Sequence, residues 1–288
     1  MKTREFHLAI DANTRALGLV GQGIGYSLSP AIHNLAIEQL GKNLVYLPFD
    51  IQERSLKPFL DFFWDAGGVG FNVTTPHKST IARMIPGHGL SSVNTVFRGE
   101  TWWEATSTDA EGFSSGLERI GWPLSEFSRI VFIGAGGAVL ALVEYFARHA
   151  LNVKEMTVLA RNPQSFPMEV LKRFPQTAVH SLGLNALAHC LAGGDDATLL
   201  IQGTNGPQNG DNLAGLVPGL REFKGTFVDL VYGQPSALYF ECLNRGLPTQ
   251  DGEPMLIEQA RASQRLWFGQ TISYEAISDI LKKKRRNS

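Results

Sequence analysis

The feature that most restricts the fold is a glycine-rich turn between a short apolar strand and an apolar helix. Residues 130–133 have the composition of a buried strand, and Gly134-Ala135-Gly136-Gly137-Ala138 follows them before a helical pattern that runs to about Ala150. Gly134 permits a tight turn, and Gly136 lets the backbone approach a pyrophosphate at a helix N-terminus. The turn therefore predicts the first β-α unit of a Rossmann-like domain.

Apolar runs alternate with helical patterns along most of the chain, which predicts an α/β fold with parallel strands. Strands are predicted at residues 19–25, 44–50, 69–74, 156–160, 198–201 and 226–231, and a hairpin at 93–105. A helix after the first strand has Ser29 as its predicted N-cap, Pro30 at its first position and Gly41 at its end. We also expect residues 258–268 to form a helix, from their periodicity.

The length of 288 residues favours two domains. We predict an N-terminal α/β domain at residues 1–112 and a Rossmann-like domain at 113–250. The C-terminal helices, in 251–288, are expected to pack back on the first domain. The basic cluster at residues 282–286 is predicted to be a solvated tail beyond the last helix.

The charge balance excludes whole classes of partner. With 26 basic and 27 acidic residues, the chain has no overall field to attract nucleic acid or an anionic membrane. Its N-terminus lacks the apolar run of a signal peptide, and no apolar stretch approaches the length of a membrane span. Cys190 and Cys242 form neither a disulfide framework nor a metal-ligand pattern, so we expect reduced, buried thiols in a cytoplasmic protein without a metal.

The residue after the second Rossmann strand indicates the cofactor. NAD enzymes place an acidic residue there to bind the ribose hydroxyls. This strand ends at Ala160 and is followed by Arg161 and Asn162, with no acid. A guanidinium can bind a 2′-phosphate with two parallel hydrogen bonds. The sequence therefore favours NADP over NAD.

Polar side chains in the first half lie where packing alone does not require them. Hydroxyls stand at Ser27 and Ser29, and further polar groups stand at Asn72, Thr74, Lys78, Asn94 and Asp109. Several of these follow predicted parallel strands, and open α/β sheets bind ligands at the carboxyl ends of their strands. Reducing a ketone needs a proton for the developing alkoxide, which a lysine oriented by a carboxylate can supply.

Six motifs follow one another along the chain: Ser-Leu-Ser-Pro-x-x-His-Asn at 27–34, Asn-Val-Thr-x-Pro-x-Lys at 72–78, Val-Asn-Thr at 93–95, Thr-Asp-x-x-Gly-Phe at 108–113, Gly-Ala-Gly-Gly-Ala at 134–138, and the late Gln259. In order and register they resemble the shikimate dehydrogenase family, from about residue 20 to residue 268. The members of this family that the motifs resemble are shikimate and quinate dehydrogenases and a divergent shikimate dehydrogenase-like paralogue. It implies an NADP-dependent, reversible oxidation of shikimate to 3-dehydroshikimate, a step of aromatic amino-acid biosynthesis.

The resemblance also implies residue roles. Lys78 and Asp109 are expected to form the catalytic pair. The expected substrate ligands are Ser27, Ser29, Asn72, Thr74, Lys78, Asn94, Asp109, Tyr232 and Gln259. The expected NADP ligands are Gly134, Ala135, Gly136, Gly137, Ala138, Arg161, Thr204, Gly252 and Met255. His33 and His77 are expected to be structural.

Some positions depart from the usual family pattern, and they cluster on the cofactor side. Val139 occupies the third small position of the glycine fingerprint, and Gln202-Gly203-Thr204 stands where Asn-Ala-Thr is usual. Pro254 replaces a customary glycine. The alternatives that stay open are a quinate or aminoshikimate dehydrogenase and, from another class, a non-catalytic sensor of shikimate-like acids. Either a monomer or a homodimer is compatible with the sequence.

Overall fold

The computed structural model describes residues 10–149, 152–167, 177–193 and 196–287. The chain forms two compact units, Met1–Gly112 with Ile257–Ser288, and Phe113–Leu256. Both units contain a sheet with helices, which confirms the predicted α/β class. The segment that begins at Ile257 belongs to the first unit, so the chain returns to it at its C-terminal end.

The first unit has a five-stranded mixed sheet in the order β2-β1-β3-β4-β5. Its elements are β1 Arg15–Gly21, α1 Ser29–Gln39, β2 Leu44–Asp50, α2 Leu56–Asp65, β3 Gly70–Val73, α3 Lys78–Met84, β4 Thr95–Arg98, β5 Trp103–Thr106 and the start of α4 Asp109–Arg119. The strands β2, β1 and β3 are parallel, whereas β4 and β5 form the predicted antiparallel hairpin. An apolar core joins Phe63 of α2 to Phe71 and Trp103 of the sheet.

The second unit has a six-stranded parallel sheet in the order β11-β10-β9-β6-β7-β8. Its elements are β6 Arg129–Ile133, α5 Gly137–His149, β7 Glu155–Ala160, β8 Ala178–Gly183, α6 Leu187–Leu191, β9 Thr198–Gln202, β10 Thr226–Asp229, α7 Ala237–Asn244 and β11 Thr249–Gln250. The last two helices of the chain are α8 Glu253–Phe268 and α9 Tyr274–Asn287. The strand order is that of the Rossmann fold, with the first strand of the unit, β6, at the centre.

The first strand lies four residues earlier than predicted, at Arg15–Gly21 rather than at 19–25. Its pairing with β2 begins at Arg15 opposite Leu44 and ends at Gly21 opposite Asp50. Gly23 then adopts a φ of +68°, which turns the chain out of the sheet. The apolar run after Gly21 therefore belongs to a loop.

The N-cap prediction for Ser29 was wrong, because Ser29 is already the first residue of α1. Leu28 flanks the helix and has no polar side-chain atom to cap it. Instead, the Ser27 hydroxyl accepts a hydrogen bond from the Ser29 backbone N–H at 3.3 Å. Gly41, with a φ of +59°, follows the end of the helix as predicted.

The basic cluster at residues 282–286 is not a tail beyond the last helix but the last part of α9. The buried side chains of Ile277 and Leu281 hold the preceding turns of this helix. The cationic side chains then lie at its C-terminal end, where the helix dipole favours positive charge.

Candidate active site

Gly21 lets two loops meet at the carboxyl ends of neighbouring strands in the first unit. Because β1 and β3 are parallel, the loops that follow them leave the sheet at the same edge. A Cβ on Gly21 would lie 2.5 Å from Cγ2 of Thr74, so a larger residue does not fit. The first loop leads to Ser27 and Ser29, and the second contains Thr74 and ends at Lys78.

The loop that contains the two serines is held by Asp50 at the end of β2. Its carboxylate accepts hydrogen bonds from the backbone N–H groups of Gly23, at 3.0 Å, and Ile24, at 3.3 Å. The Ser27 N–H donates in turn to the Ile24 carbonyl at 2.9 Å. The hydroxyls of Ser27 and Ser29 thus lie at the N-terminal end of α1, where the helix dipole favours a carboxylate.

Lys78 and Asp109 form a largely buried ion pair. The Lys78 Nζ lies 2.5 Å from Oδ2 of Asp109, and the two side chains are 15% and 7% exposed. Each residue is the first of its helix, Lys78 in α3 and Asp109 in α4. The backbone N–H of Val93 donates to the Lys78 carbonyl at 3.3 Å, which ties the start of α3 to the segment before β4. The sequence-predicted catalytic pair is therefore in direct contact.

Asn94 fixes the orientation of the Asp109 carboxylate. Its Nδ2 donates to Oδ1 of Asp109 at 2.7 Å and lies 3.0 Å from the Thr108 hydroxyl. Its Oδ1 accepts the Thr108 backbone N–H at 2.7 Å. The contact of Nδ2 with Oε1 of Gln259, in α8, is longer, at 3.4 Å. The Asp109 carboxylate therefore has one oxygen on the lysine and the other on an amide.

Asn72 belongs to a buried layer of hydrogen bonds within the chain, next to Asn94. The Tyr46 hydroxyl donates to Oδ1 of Asn72 at 2.8 Å. The Asn72 Nδ2 lies 3.1 Å from each of three acceptors, the carbonyl of Asn94 and the hydroxyls of Thr95 and Ser263. Both ends of the Asn72 amide are thus bonded within the protein, and only 6% of the residue is exposed.

His33 packs behind this layer, as a structural residue should. Its ring stacks on Tyr46 with 4.6 Å between centroids and meets the edge of Trp267 at 5.1 Å. The residue is fully buried, and neither ring nitrogen has a hydrogen-bond partner among the described residues. Burial lowers the pKa of His33 from 6.5 to about 3, although nearby Asn72 opposes the shift. The imidazole is therefore neutral in the folded protein.

This burial predicts acid sensitivity. Below about pH 6.5 the unfolded chain takes up a proton at His33 while the folded chain does not, so stability falls until the pH reaches about 3. Between about pH 7.5 and pH 5 the expected loss from this group is about 2 kcal/mol. Urea unfolding at both pH values should show a smaller loss in His33→Phe, whereas the exposed control His189→Gln should keep the full loss. Equal losses in all three proteins would contradict the prediction.

The glycine turn of the second unit leaves space at the N-terminus of α5. Gly134 has a φ of +112°, and a Cβ there would lie 2.8 Å from Cγ2 of Thr204. Gly136 is exposed, and a Cβ built on it would meet no heavy atom within 4 Å. Because α5 begins at Gly137, this open backbone lies directly before a helix N-terminus. The turn fits the close approach of a pyrophosphate.

The expected cofactor residues all lie in the second unit. Strands β6 and β9 are neighbours where the strand order reverses, the point at which such sheets bind ligands. The turn from Gly134 follows β6 and Thr204 follows β9, while Arg161 is exposed directly after β7. Gly252 directly precedes α8, and Met255 lies in its first turn. Tyr232, the one expected substrate ligand in this unit, follows β10.

The described residues contain no group of three or more His, Cys, Asp or Glu side chains that could hold a metal ion. None of the helices in the described ranges is long and apolar enough to cross a membrane. Cys190 and Cys242 are free and buried.

Comparison with known proteins identifies the family. The family model of the shikimate dehydrogenase substrate binding domain matches residues 19–95. The shikimate dehydrogenase (NADP(+)) of Thermosynechococcus vestitus is 34% identical over 273 residues, 91% of this chain and 92% of that protein. The chain belongs to the shikimate dehydrogenase family.

Solved structures of shikimate dehydrogenases agree with this assignment. A shikimate dehydrogenase crystallised with NADP+ matches with a TM-score of 0.83 and 26% identity, over 96% of this chain and 97% of that one. The Thermus thermophilus enzyme, crystallised with NADP(H) and shikimate, matches with a TM-score of 0.75 and 28% identity, over 93% and 99% of the two chains.

In this shikimate dehydrogenase family member, two departures from the family pattern compensate for each other. Val139 is fully buried in α5, where the fingerprint usually has a small residue. A Cβ on Gly203 would lie 2.3 Å from Cγ2 of Val139. Gly203, directly after β9, therefore provides the space that a small residue in the helix would otherwise leave. Helix α5 can pack closely on the sheet despite the valine.

Sequence reasoning missed several residues that shape the family site. Tyr46, Thr95 and Ser263 complete the buried layer around Asn72. Ser263 lies four residues after Gln259 in α8, so helical periodicity could have placed it on the same face. Gln202 was noted only as a departure from the family pattern and Asp229 was missed, although a buried polar residue at the end of an apolar strand is itself a signal.

Proposed function

We propose that the chain is an NADP-dependent dehydrogenase that reversibly oxidises shikimate to 3-dehydroshikimate. The observation that carries this proposal is the Lys78–Asp109 pair, with 2.5 Å between Nζ and Oδ2, within a cluster of amides and hydroxyls. Hydroxyls and amides give the directional hydrogen bonds that recognise a polyol. The names of the relatives support the same activity.

The first unit is proposed to bind the substrate. Ser27 and Ser29 would hold its carboxylate at the N-terminus of α1, where backbone dipoles add to the hydroxyl hydrogen bonds. Thr74, Asn94 and Gln259 would bind the ring hydroxyls. Asn72 is proposed to bind a ring hydroxyl too, with its amide held in place by hydrogen bonds to protein atoms.

Lys78 is proposed to move the proton. In the oxidation its amine accepts the proton of the reacting hydroxyl, and in the reverse direction its ammonium group donates one to the developing alkoxide. Asp109 accepts a hydrogen bond from Nζ and so keeps the amine in one orientation. Asn94 keeps the carboxylate from rotating, through its bond of 2.7 Å to Oδ1. The hydrogen bonds among these side chains restrict their orientations, which reduces the entropic cost of reaching the reactive geometry.

The second unit is proposed to bind NADP, the hydride acceptor of the oxidation. The backbone of Gly134, Ala135, Gly136, Gly137 and Ala138 would hold the pyrophosphate. Thr204, Gly252 and Met255 would contact the other parts of NADP. Tyr232 is proposed to be a substrate ligand. The exposed Arg161 has no acidic residue beside it along the chain and would bind the 2′-phosphate. A single charge-assisted contact of roughly 1.5–3 kcal/mol gives about a tenfold to hundredfold preference for NADP over NAD.

A kinetic panel tests this function. NADP reduction is measured with shikimate, quinate, aminoshikimate and the methyl ester of shikimate, and shikimate is then repeated with NAD. We expect the highest kcat/KM for shikimate with NADP, about tenfold to hundredfold lower kcat/KM with NAD, and weak turnover of the uncharged ester.

Each other outcome contradicts a different part of the proposal. A higher kcat/KM with quinate or aminoshikimate would show that this acid, rather than shikimate, is the substrate. Efficient turnover of the ester would show that Ser27 and Ser29 do not bind the substrate carboxylate. Equal kcat/KM for the two cofactors would show that Arg161 does not produce a preference for NADP over NAD. Binding of shikimate without any NADP reduction would support the sensor alternative.

The place of action is proposed to be the cytoplasm. Cys190 and Cys242 are unpaired and buried, as is usual for proteins of a reducing compartment. We propose a monomer or homodimer, with a small molecule as the substrate.

A further inference from the structure

Two buried side chains, Gln202 and Asp229, connect the loops that follow the neighbouring strands β9 and β10. Each is the last residue of its strand, and neither has any exposed surface. The Gln202 Nε2 donates to Oδ1 of Asp229 at 3.1 Å. A buried carboxylate and amide are costly unless they are hydrogen-bonded, and here each is bonded to the other and to backbone groups.

Gln202 uses the rest of its amide to bind the backbone of Thr204. Its Oε1 accepts the Thr204 N–H, and its Nε2 also lies 3.1 Å from the Thr204 carbonyl. The side chain thereby fixes both polar backbone groups of one residue. Thr204 in turn lies against the glycine turn, since a Cβ on Gly134 would be 2.8 Å from its Cγ2. Gln202 therefore determines where Thr204 lies at the point where the strand order reverses.

Asp229 does the same for the loop after β10. Its Oδ1 accepts the Val231 N–H at 3.0 Å, and its Oδ2 accepts the Ser236 N–H at 2.8 Å. These two bonds close the loop of residues 231–236, which contains Tyr232. Burial raises the pKa of Asp229, and the hydrogen bonds from Ser236, Val231 and Gln202 oppose that shift.

We infer that Gln202 is a positioning residue that, through Asp229, aligns the loops of Thr204 and Tyr232 for hydride transfer. This inference rests on the proposed function, in which these loops contact NADP and the substrate. It also explains why the altered segment Gln202-Gly203-Thr204 is compatible with catalysis. The longer glutamine amide reaches the Thr204 backbone and Asp229 together, and Gly203 makes room for Val139.

The test compares Gln202→Met, which keeps the side-chain length but removes the amide, with the control Thr198→Val. Thr198 lies at the other end of β9, is buried, and has no hydrogen-bond partner for its hydroxyl among the described residues. A misplacement of about 1 Å can cost about a hundredfold in rate. We therefore expect kcat of Gln202→Met to fall roughly tenfold to hundredfold, with the KM for shikimate nearly unchanged. Thr198→Val should retain both values.

Two further readouts separate positioning from loss of folded protein. With shikimate deuterated at the carbon that loses hydride, the isotope effect on kcat should rise in Gln202→Met. A purely structural defect would lower the amount of active enzyme and leave that isotope effect unchanged. Backbone hydrogen exchange, measured without cofactor, should be slow at Thr204, Val231 and Ser236 in the unmodified protein and faster at all three in the variant.

Gln202→Asn provides a second variant that retains a buried amide but is one methylene too short to reach both partners. A normal kcat and isotope effect in both glutamine variants would overturn the inference. So would fast exchange of the three amides in the unmodified protein, even if neither variant folds. An unmodified protein that reduces no NADP with any substrate of the panel would instead refute the proposed function, while the exchange measurement would still test the loop contacts.

Discussion

Replacing Lys78 with alanine is expected to lower kcat by roughly 10²–10⁴-fold, the usual contribution of a positioned acid–base group. The Lys78 amine is the cationic partner of Asp109, at 2.5 Å, and the pair is largely shielded from water. Alanine removes the group that exchanges the proton and leaves Asn94 as the side-chain partner of the Asp109 carboxylate among the described residues. Substrate binding should weaken less, because Ser27 and Ser29 are untouched. Steady-state kinetics with shikimate and NADP measures both parameters.

The matched control for this experiment is Lys57→Ala. Lys57 also forms an ion pair with an aspartate, Asp61, at 2.6 Å, but its side chain is 66% exposed on α2. An exposed pair of this kind contributes little to stability, about 0–1 kcal/mol. Lys57→Ala should therefore retain its activity. Near-normal turnover in Lys78→Ala would remove that lysine from the mechanism, and a comparable loss in Lys57→Ala would show that the assay reports a general effect of lost charge.

The parts of the fold that could be predicted from the sequence are those set by local rules. The glycine turn after residues 130–133 indicated a β-α unit, because a positive φ at Gly134 and an open helix N-terminus are local requirements. The hairpin and the helix stop at Gly41 followed from turn chemistry in the same way. The contact between Lys78 and Asp109 was expected from the family motifs, and the structure shows it directly.

The parts that could not be predicted depend on contacts between distant segments. The Asn72 amide accepts a hydrogen bond from Tyr46 and donates one to Ser263, 26 and 191 residues away along the chain. No periodicity in the sequence indicates these buried hydrogen bonds around Asn72. The first strand was misplaced for a related reason, since its early residues are fixed by pairing with β2 rather than by their own hydrophobicity.

Gly136→Val is expected to abolish tight NADP binding while leaving the protein folded. The new side chain would enter open space, since a Cβ on Gly136 meets no heavy atom within 4 Å, so folding should be little affected. The same space is where the pyrophosphate is proposed to approach the backbone before α5. Losing two hydrogen bonds to a charged phosphate, at roughly 1.5–3 kcal/mol each, weakens binding at least about a hundredfold. Fluorescence titration with NADPH measures this affinity without any turnover.

Gly215→Val is the matched control, because Gly215 is also exposed in the second unit and a Cβ on it would meet no heavy atom within 4 Å. It lies away from the glycine turn along the chain, so its valine variant should bind NADPH as the unmodified protein does. Both variants should show thermal unfolding close to that of the unmodified protein. If Gly136→Val keeps its NADPH affinity while folded, the pyrophosphate does not lie on this turn. The cofactor would then have to be held by Arg161, Thr204 and the start of α8 without the helix N-terminus.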